Sequence, residues 1–518
     1  MQVNCISPLR ICRTICLPVL FAMLTLLEAC GPKAAIPEES TPAKTQAAIY
    51  PDYRDIVIPP NIAPLNFQVT TPGDAYVGCI EGSGQQIIAA AGADGKLFFE
   101  PEEWSRLLAA NKGKDLEVTL YVRNGAQWQR HPAYRLHVAQ EEIDRYLFYR
   151  LIEPSYELYR QLGIYQRDLA GYEQRTVYEN NRSFDSINNH CINCHNFQNY
   201  DAGKRMLFHV RAAHGGTVFV ENGKATKMNM NCDSVLSSSV YPSWHPRRNW
   251  VVFSSNQTGQ TFHVMNHQKV EVVDFGSDLI FYDADAHTLT NILKTPTDLE
   301  TFPCWSPDGK RVFYCKASFP ALAGKNTAER SDVIAAAYDS IRYDLMSIAF
   351  DERTRRFGQP QLEVDCAAMG KSASVPRVSP DGRYVLFTLG DYGQFHIWHK
   401  SSDLYVKDLR TGEVRPLTSV NSPDVDSYHT WSSNGRWIVF ASRRDDGSYT
   451  RLYIAYFDDK GQGHKAFLLP QEDPEQNLLF MKSYNVPELS RTPVSVDEET
   501  LRKVVYDDAA AGHVTYKP

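Results

Sequence analysis

One pattern recurs four times in the second half of this chain: a strand ending in an apolar residue, a tight polar turn, and a second, almost wholly apolar strand. Tyr241-Pro-Ser-Trp244-His-Pro-Arg-Arg-Asn-Trp250-Val-Val-Phe253 is echoed by Phe302-Pro-Cys-Trp305-Ser-Pro-Asp-Gly309-Lys-Arg-Val-Phe-Tyr314. It returns as Val375-Pro-Arg-Val378-Ser-Pro-Asp-Gly382-Arg-Tyr-Val-Leu-Phe387 and as Tyr428-His-Thr-Trp431-Ser-Ser-Asn-Gly435-Arg-Trp-Ile-Val-Phe440. Pro-Asp-Gly and Asn-Gly are turn chemistry, because glycine supplies the left-handed backbone and aspartate or asparagine caps it. Each echo is followed by a further strand pair beginning at Asp278, Asp344, Asp403 or Arg451. Four-stranded units returning roughly every 50 to 75 residues predict propeller blades, since one such unit cannot bury both of its faces alone.

At these residues the chain resembles the TolB-like family of WD-type β-propellers, whose mark is the Trp-Ser-Pro-Asp-Gly-Lys turn found at Trp305 to Lys310. The resemblance covers about Val240 to Leu469 and implies the fold, not a function. Upstream, where that family has an αβ domain, this chain has other segments. The family's role with an outer-membrane lipoprotein partner is therefore not carried over.

The second constraining feature is His190-Cys191-Ile192-Asn193-Cys194-His195. Cys-x-x-Cys-His is the spacing that attaches one haem c covalently: two thiols add to the vinyl groups, and the next imidazole lies under the iron. Cys191 and Cys194 are the expected thioether anchors and His195 the proximal ligand. Met206 is the first distal candidate, with His209, His214, Met228 and Met230 also near in sequence. Along a strand Met206 and His209 take opposite faces, so both cannot be ligands. Other uses of the motif are a disulfide, a redox dithiol, or half of a zinc site completed by His209, His214 and Cys232.

The first 30 residues carry Arg10 and Arg13, an apolar run from Ile15 to Leu27, and Leu27-Glu-Ala-Cys30-Gly31. This resembles a bacterial lipoprotein signal, with Cys30 the lipidated first residue of the mature chain, although Glu28 departs from the usual small residue. The expected location is the periplasmic or outer-membrane side of a Gram-negative-type envelope, where c-type haem is also attached. A net charge of -7 with acids and bases interleaved excludes a nucleic-acid stripe. Beyond Cys30 and the motif remain Cys79, Cys232, Cys304, Cys315 and Cys366, an odd set that allows at most two disulfides.

The remaining segments complete the expected order. Residues 31–58 read as a flexible tether, 59–140 as a small β-sandwich with a helix near Pro101 to Ala110, and 141–187 as an aromatic helical arm. Residues 188–235 form the haem segment and first blade, 236–486 the other blades, and 487–518 a tail whose short helix opens at a Ser495 capping box. Overall the chain is expected to be mainly β, with five blades or six, the ring closed by Leu478 to Met481 pairing onto the haem blade. No Gly-x-Ser-x-Gly, His-Glu-x-x-His or phosphate loop is present, so no catalytic residue is assigned. The expected function is a lipid-anchored monohaem cytochrome for electron transfer or redox sensing with a redox partner protein; a haem enzyme would need an open distal position. The competing expectation is an envelope scaffold binding a protein or glycan, with Cys191 and Cys194 joined as a disulfide.

Overall fold

The computed structural model describes residues 34–153, 161–181, 189–263 and 270–518. The chain is mainly β and propeller-like, built from many small sheets. Cys30 and the rest of the expected signal lie outside the described residues. Among those described, no helix is long and apolar enough to cross a membrane.

The N-terminal region holds a seven-stranded sheet and a three-stranded sheet, with a helix at Pro101–Ala110. The helix buries Trp104, Leu107 and Leu108, and the Trp104 indole N–H donates to the Ile62 carbonyl at 2.9 Å. The expected tether does not persist through residue 58. Ala47, Ile49, Tyr53, Ile56 and Ile58 are buried, and Ile56–Ile58 pairs in parallel with Leu136, His137 and Val138. The segment's polar average conceals five apolar side chains at core positions.

The largest correction concerns 141–187. Tyr146–Ile152, Leu162–Asp168 and Gln174–Glu179 are antiparallel strands, not a helical arm. Apolar residues that fell at helical spacing form a continuous buried run in Tyr146–Ile152, which serves a strand covered on both faces equally well. Tyr156 and Tyr159 lie outside the described residues. Closure is corrected as well: the segment around Leu478 is a short helix, Gln476–Leu479, and Ser483–Ser490 pairs with Tyr146–Ile152 instead.

Six four-stranded antiparallel meanders therefore follow one another among the described residues. The first comprises Ser483–Ser490 with the three strands from 146 to 179; the second is His190–Phe197, Arg205–Ala212, Gly216–Glu221 and Lys224–Asn229. The third to sixth begin with Ser239–Trp244, Asp298–Trp305, Ser372–Val378 and Asp426–Trp431. These first strands pack side by side in succession, and Ser483–Ser490 lies between Asp426–Trp431 and His190–Phe197, so the circle closes.

Every inner strand carries the same defect. Cys194, Tyr241, Phe302, Val375, Tyr428 and Val486 all have φ between 47° and 53°, and pairing with the next strand slips there in each meander. A bulge at a fixed place in each unit turns the following side chains toward the axis. The turns behave as expected: the Asp308 carboxylate accepts the Ser306 hydroxyl at 2.6 Å and the Lys310 N–H at 3.1 Å. At Gly309, φ is 68°, and a Cβ would come within 2.3 Å of the His245 ring, so only glycine fits.

The C-terminal helix is Glu498–Tyr506, capped by Asp497 accepting from the Thr500 N–H, not by Ser495. Its Leu501 and Val505 are buried against the first and second meanders. Several ties fix the N-terminal region to the ring: Asp144 accepts from the Ser433 N–H at 2.6 Å, the Trp437 indole donates to the Glu141 carbonyl at 3.1 Å, and Lys96 pairs with Asp473 at 3.0 Å.

Candidate functional site

The Cys-x-x-Cys-His stretch is the inner strand of the second meander. Register decides where each side chain goes. Cys194 takes the left-handed position, and His195 stands where the other meanders have Pro242, Pro303, Pro376, His429 and Pro487. Cys194 and His195 border a small axial cavity of ≈30 Å³ together with Tyr241, Phe302, Val375 and Tyr428. Cys191 instead joins the core between the first two meanders, with Phe148, Phe197 and Met206. Cys194 and His195 thus reach the axis together, whereas Cys191 pairs with Arg211 and Met206 with Phe197 at the other end of the strand pair.

Each group is buried. Burial pushes the Cys194 thiol up, and it pushes the His195 imidazole down to about 3, with Arg150 and Arg377 adding to the effect. His195 is neutral at pH 7, and neither of its ring nitrogens has a hydrogen-bond partner. His209 is likewise neutral, pushed down to about 3 by burial, with Nδ1 3.5 Å from the Thr217 hydroxyl. His214 bonds Asp508 at 2.8 Å, and Met228 and Met230 fill the core on the far side of the second meander. No group of three or more metal-ligating side chains gathers among the described residues.

A neutral imidazole with both nitrogens unpartnered is a chemically suitable iron ligand. The surroundings do not fit a haem. Both thiols would have to meet one edge of a single macrocycle, and here they face different layers. The cavity at Cys194 and His195 holds about one water molecule, not a porphyrin. A Cys191–Cys194 disulfide is not formed either, since both are free thiols. Three residues of extended strand span about 10 Å, beyond the ~7 Å that a disulfide bridges. Cys304 and Cys315 are also buried free thiols.

Sequence reasoning missed the feature lying beside the motif. Two residues past each left-handed position stand Asn196, Ser243, Cys304, Arg377, Thr430 and Glu488. One residue further stand Phe197, Trp244, Trp305, Val378, Trp431 and Leu489. All twelve line one funnel of ≈340 Å³ on the axis. The Arg377 guanidinium donates to Glu488 at 3.1 Å, and the Thr430 hydroxyl donates to the other Glu488 oxygen at 3.2 Å. Burial raises the Glu488 carboxyl, against the pull of Arg377. Tyr200 borders the same space from the loop after the second meander's inner strand, where Asn199 and Tyr200 are consecutive left-handed residues (φ 50° and 58°). The Arg491 N–H and side chain hold that loop through the Tyr200 and Asn199 carbonyls. A signal was available: in the four echoes Ser243, Cys304, Arg377 and Thr430 stand between a position that is proline in three and one that is tryptophan in three, and they alone differ in every unit.

Comparison with known proteins adds little. No protein-family model matches the chain, and no curated protein matches it. Among solved structures it is similar to an oligogalacturonate lyase in complex with manganese (10% identity, 63% of this chain and 73% of that one, TM-score 0.34). It is also similar to prolyl oligopeptidase B from Galerina marginata (9%, 68% and 42%, TM-score 0.36) and to the tricorn protease (10%, 77% and 46%, TM-score 0.32). It spans less than half the length of the last two chains.

Proposed function

We propose that this chain is an exported, lipid-anchored envelope protein whose six-bladed propeller is a binding scaffold, with the axial funnel as its ligand site. The observation that carries this reading is the funnel itself. All six inner strands contribute two successive residues to the lining of a single concave space, on the scale of pockets that take small organic ligands or the tip of a partner (~300 to 1,000 Å³). Fixed strands hold those groups, so little ordering cost falls on binding. Cys30 supplies the anchor in this reading, and the N-terminal region acts as a spacer between membrane and ring.

The test is a photo-reactive amino acid placed at Asn199, an exposed funnel residue, and at Ser83 in the N-terminal region, in cells of the native host. Crosslinked product from position 199 alone is expected. Equal product from both positions, or none from either, refutes the funnel as the site.

A second reading has one observation in its favour. The unpartnered neutral His195 next to Cys194 suits iron ligation, which keeps the monohaem cytochrome as the alternative proposal. It requires the inner strand of the second meander to open so that Cys191 leaves its core position. A haem stain decides between the two.

A further inference from the structure

Charge accounting narrows what the funnel accepts. In its polar ring only Arg377 and Glu488 ionise, and they are paired with each other. An anion would have to displace Glu488 from Arg377, and a cation would have to displace Arg377 from Glu488. Either exchange leaves one buried charge without its partner, at a cost of several kcal/mol. Nucleotides, phosphates and simple acids are therefore disfavoured at the floor.

A neutral group that both donates and accepts can engage guanidinium and carboxylate together without separating them. A hydroxyl does this, and several hydroxyls on one ligand match a circle of amide, hydroxyl, thiol and ion-pair groups. Each of these is already oriented. Asn196 Oδ1 takes the Trp244 N–H at 3.1 Å, Ser243 Oγ takes the Trp305 N–H at 3.0 Å, and Thr430 is held by Glu488. Behind this circle Phe197, Trp244, Trp305 and Trp431 are buried between neighbouring meanders and hold the polar groups in place.

We infer that the funnel binds a small neutral saccharide, a ligand with hydroxyls around its edge and C–H faces above and below, and about one or two sugar rings in size. This rests on the scaffold reading and names the ligand class of the same site.

The test uses the purified full chain on a printed array of neutral, uronic-acid and phosphorylated glycans, with Thr430→Leu alongside. Neutral glycans are expected to bind, and Thr430→Leu to weaken that binding at least tenfold while its melting temperature shows that it is folded. A second measurement uses the exposed funnel residue Asn199: a bound neutral glycan slows crosslinking from a photo-reactive amino acid at position 199. Binding confined to charged glycans, binding that leaves crosslinking at position 199 unchanged, or no glycan binding each overturns the inference. Crosslinking at position 199 separates the two levels. If it persists while no glycan binds, the saccharide class fails and the scaffold stands; if both are absent, the scaffold itself fails.

Discussion

His195 and His429 occupy the same place in two meanders of the ring, and they are bonded in opposite ways. Both stand where four meanders have proline, both are 2% exposed, and burial pushes both down to about 3. His429 is tied in: its ring lies 3.5 Å from the Thr388 hydroxyl and 3.1 Å from the Leu386 carbonyl. The neighbouring Thr430 and Arg377 both bind Glu488. His195 has no partner on either nitrogen. A repeat fold thus fixes where a side chain goes before its chemistry is consulted, and one backbone position holds a braced imidazole in one unit and an unpartnered one in another.

The largest effect is expected on the braced side. Arg377→Met leaves Glu488 buried without its cation and should cost about 3 to 5 kcal/mol in chemical denaturation. The double variant Arg377→Met/Glu488→Met should regain most of that loss. Equal destabilisation by single and double variants would mean that the pair contributes packing alone. Next comes His429→Ala, which removes two polar contacts and opens a cavity, for about 2 to 4 kcal/mol.

The same comparison predicts an acid limb. His190 and His245 are pushed down to about 4, and His195, His209, His396 and His429 to about 3, chiefly by burial. A histidine whose folded pKa is depressed gives stability that is complete above its unfolded pKa of 6.5 and is lost as pH falls toward the folded value. The melting temperature should therefore drop between about pH 6.5 and pH 4. His195→Pro is expected to make that slope shallower. Three buried carboxylates act in the opposite sense. Burial raises Glu300 to about 8, Asp274 to about 7 and Asp278 to about 6, so their contribution is complete at low pH and fades as pH rises through those values. Glu300→Gln should flatten the decline between pH 4.5 and about 8; an unchanged alkaline limb would place the loss elsewhere. The smallest effect belongs to His195→Pro at pH 7, expected within about 1 kcal/mol of the parent and on the stabilising side, since it deletes an unsatisfied buried group.

Much of the ring was legible in the sequence because its turns are spelled in glycine, aspartate and asparagine. Gly309, Gly382 and Gly435 sit at positive φ, where few other residues fit, and they punctuate the strands. The first meander has no such turn in its recognisable part. Tyr146-Leu-Phe-Tyr-Arg-Leu-Ile152 is apolar except for Arg150, without alternation, a pattern that serves a buried helix and a buried strand alike. Its inner strand, Ser483–Ser490, comes from the far end of the chain, so no local pattern joins the two. The motif at Cys191 to His195 was legible as chemistry but not as place: a bulge sends Cys194 to the axis and leaves Cys191 in the core, and periodicity carries no sign of that. The funnel was hidden for the opposite reason. Its residues are chemically ordinary and are brought together only by the register of six strands.

The measurement that most directly tests the account is the intact mass and haem stain of the chain after export in a host carrying the c-type maturation machinery, beside Cys191→Ala/Cys194→Ala. The scaffold account predicts a colourless protein without covalent haem and with two titratable thiols at Cys191 and Cys194 after denaturation. A covalent haem on the parent chain that is lost in the double variant would contradict it, and would show that the second meander opens to take the cofactor.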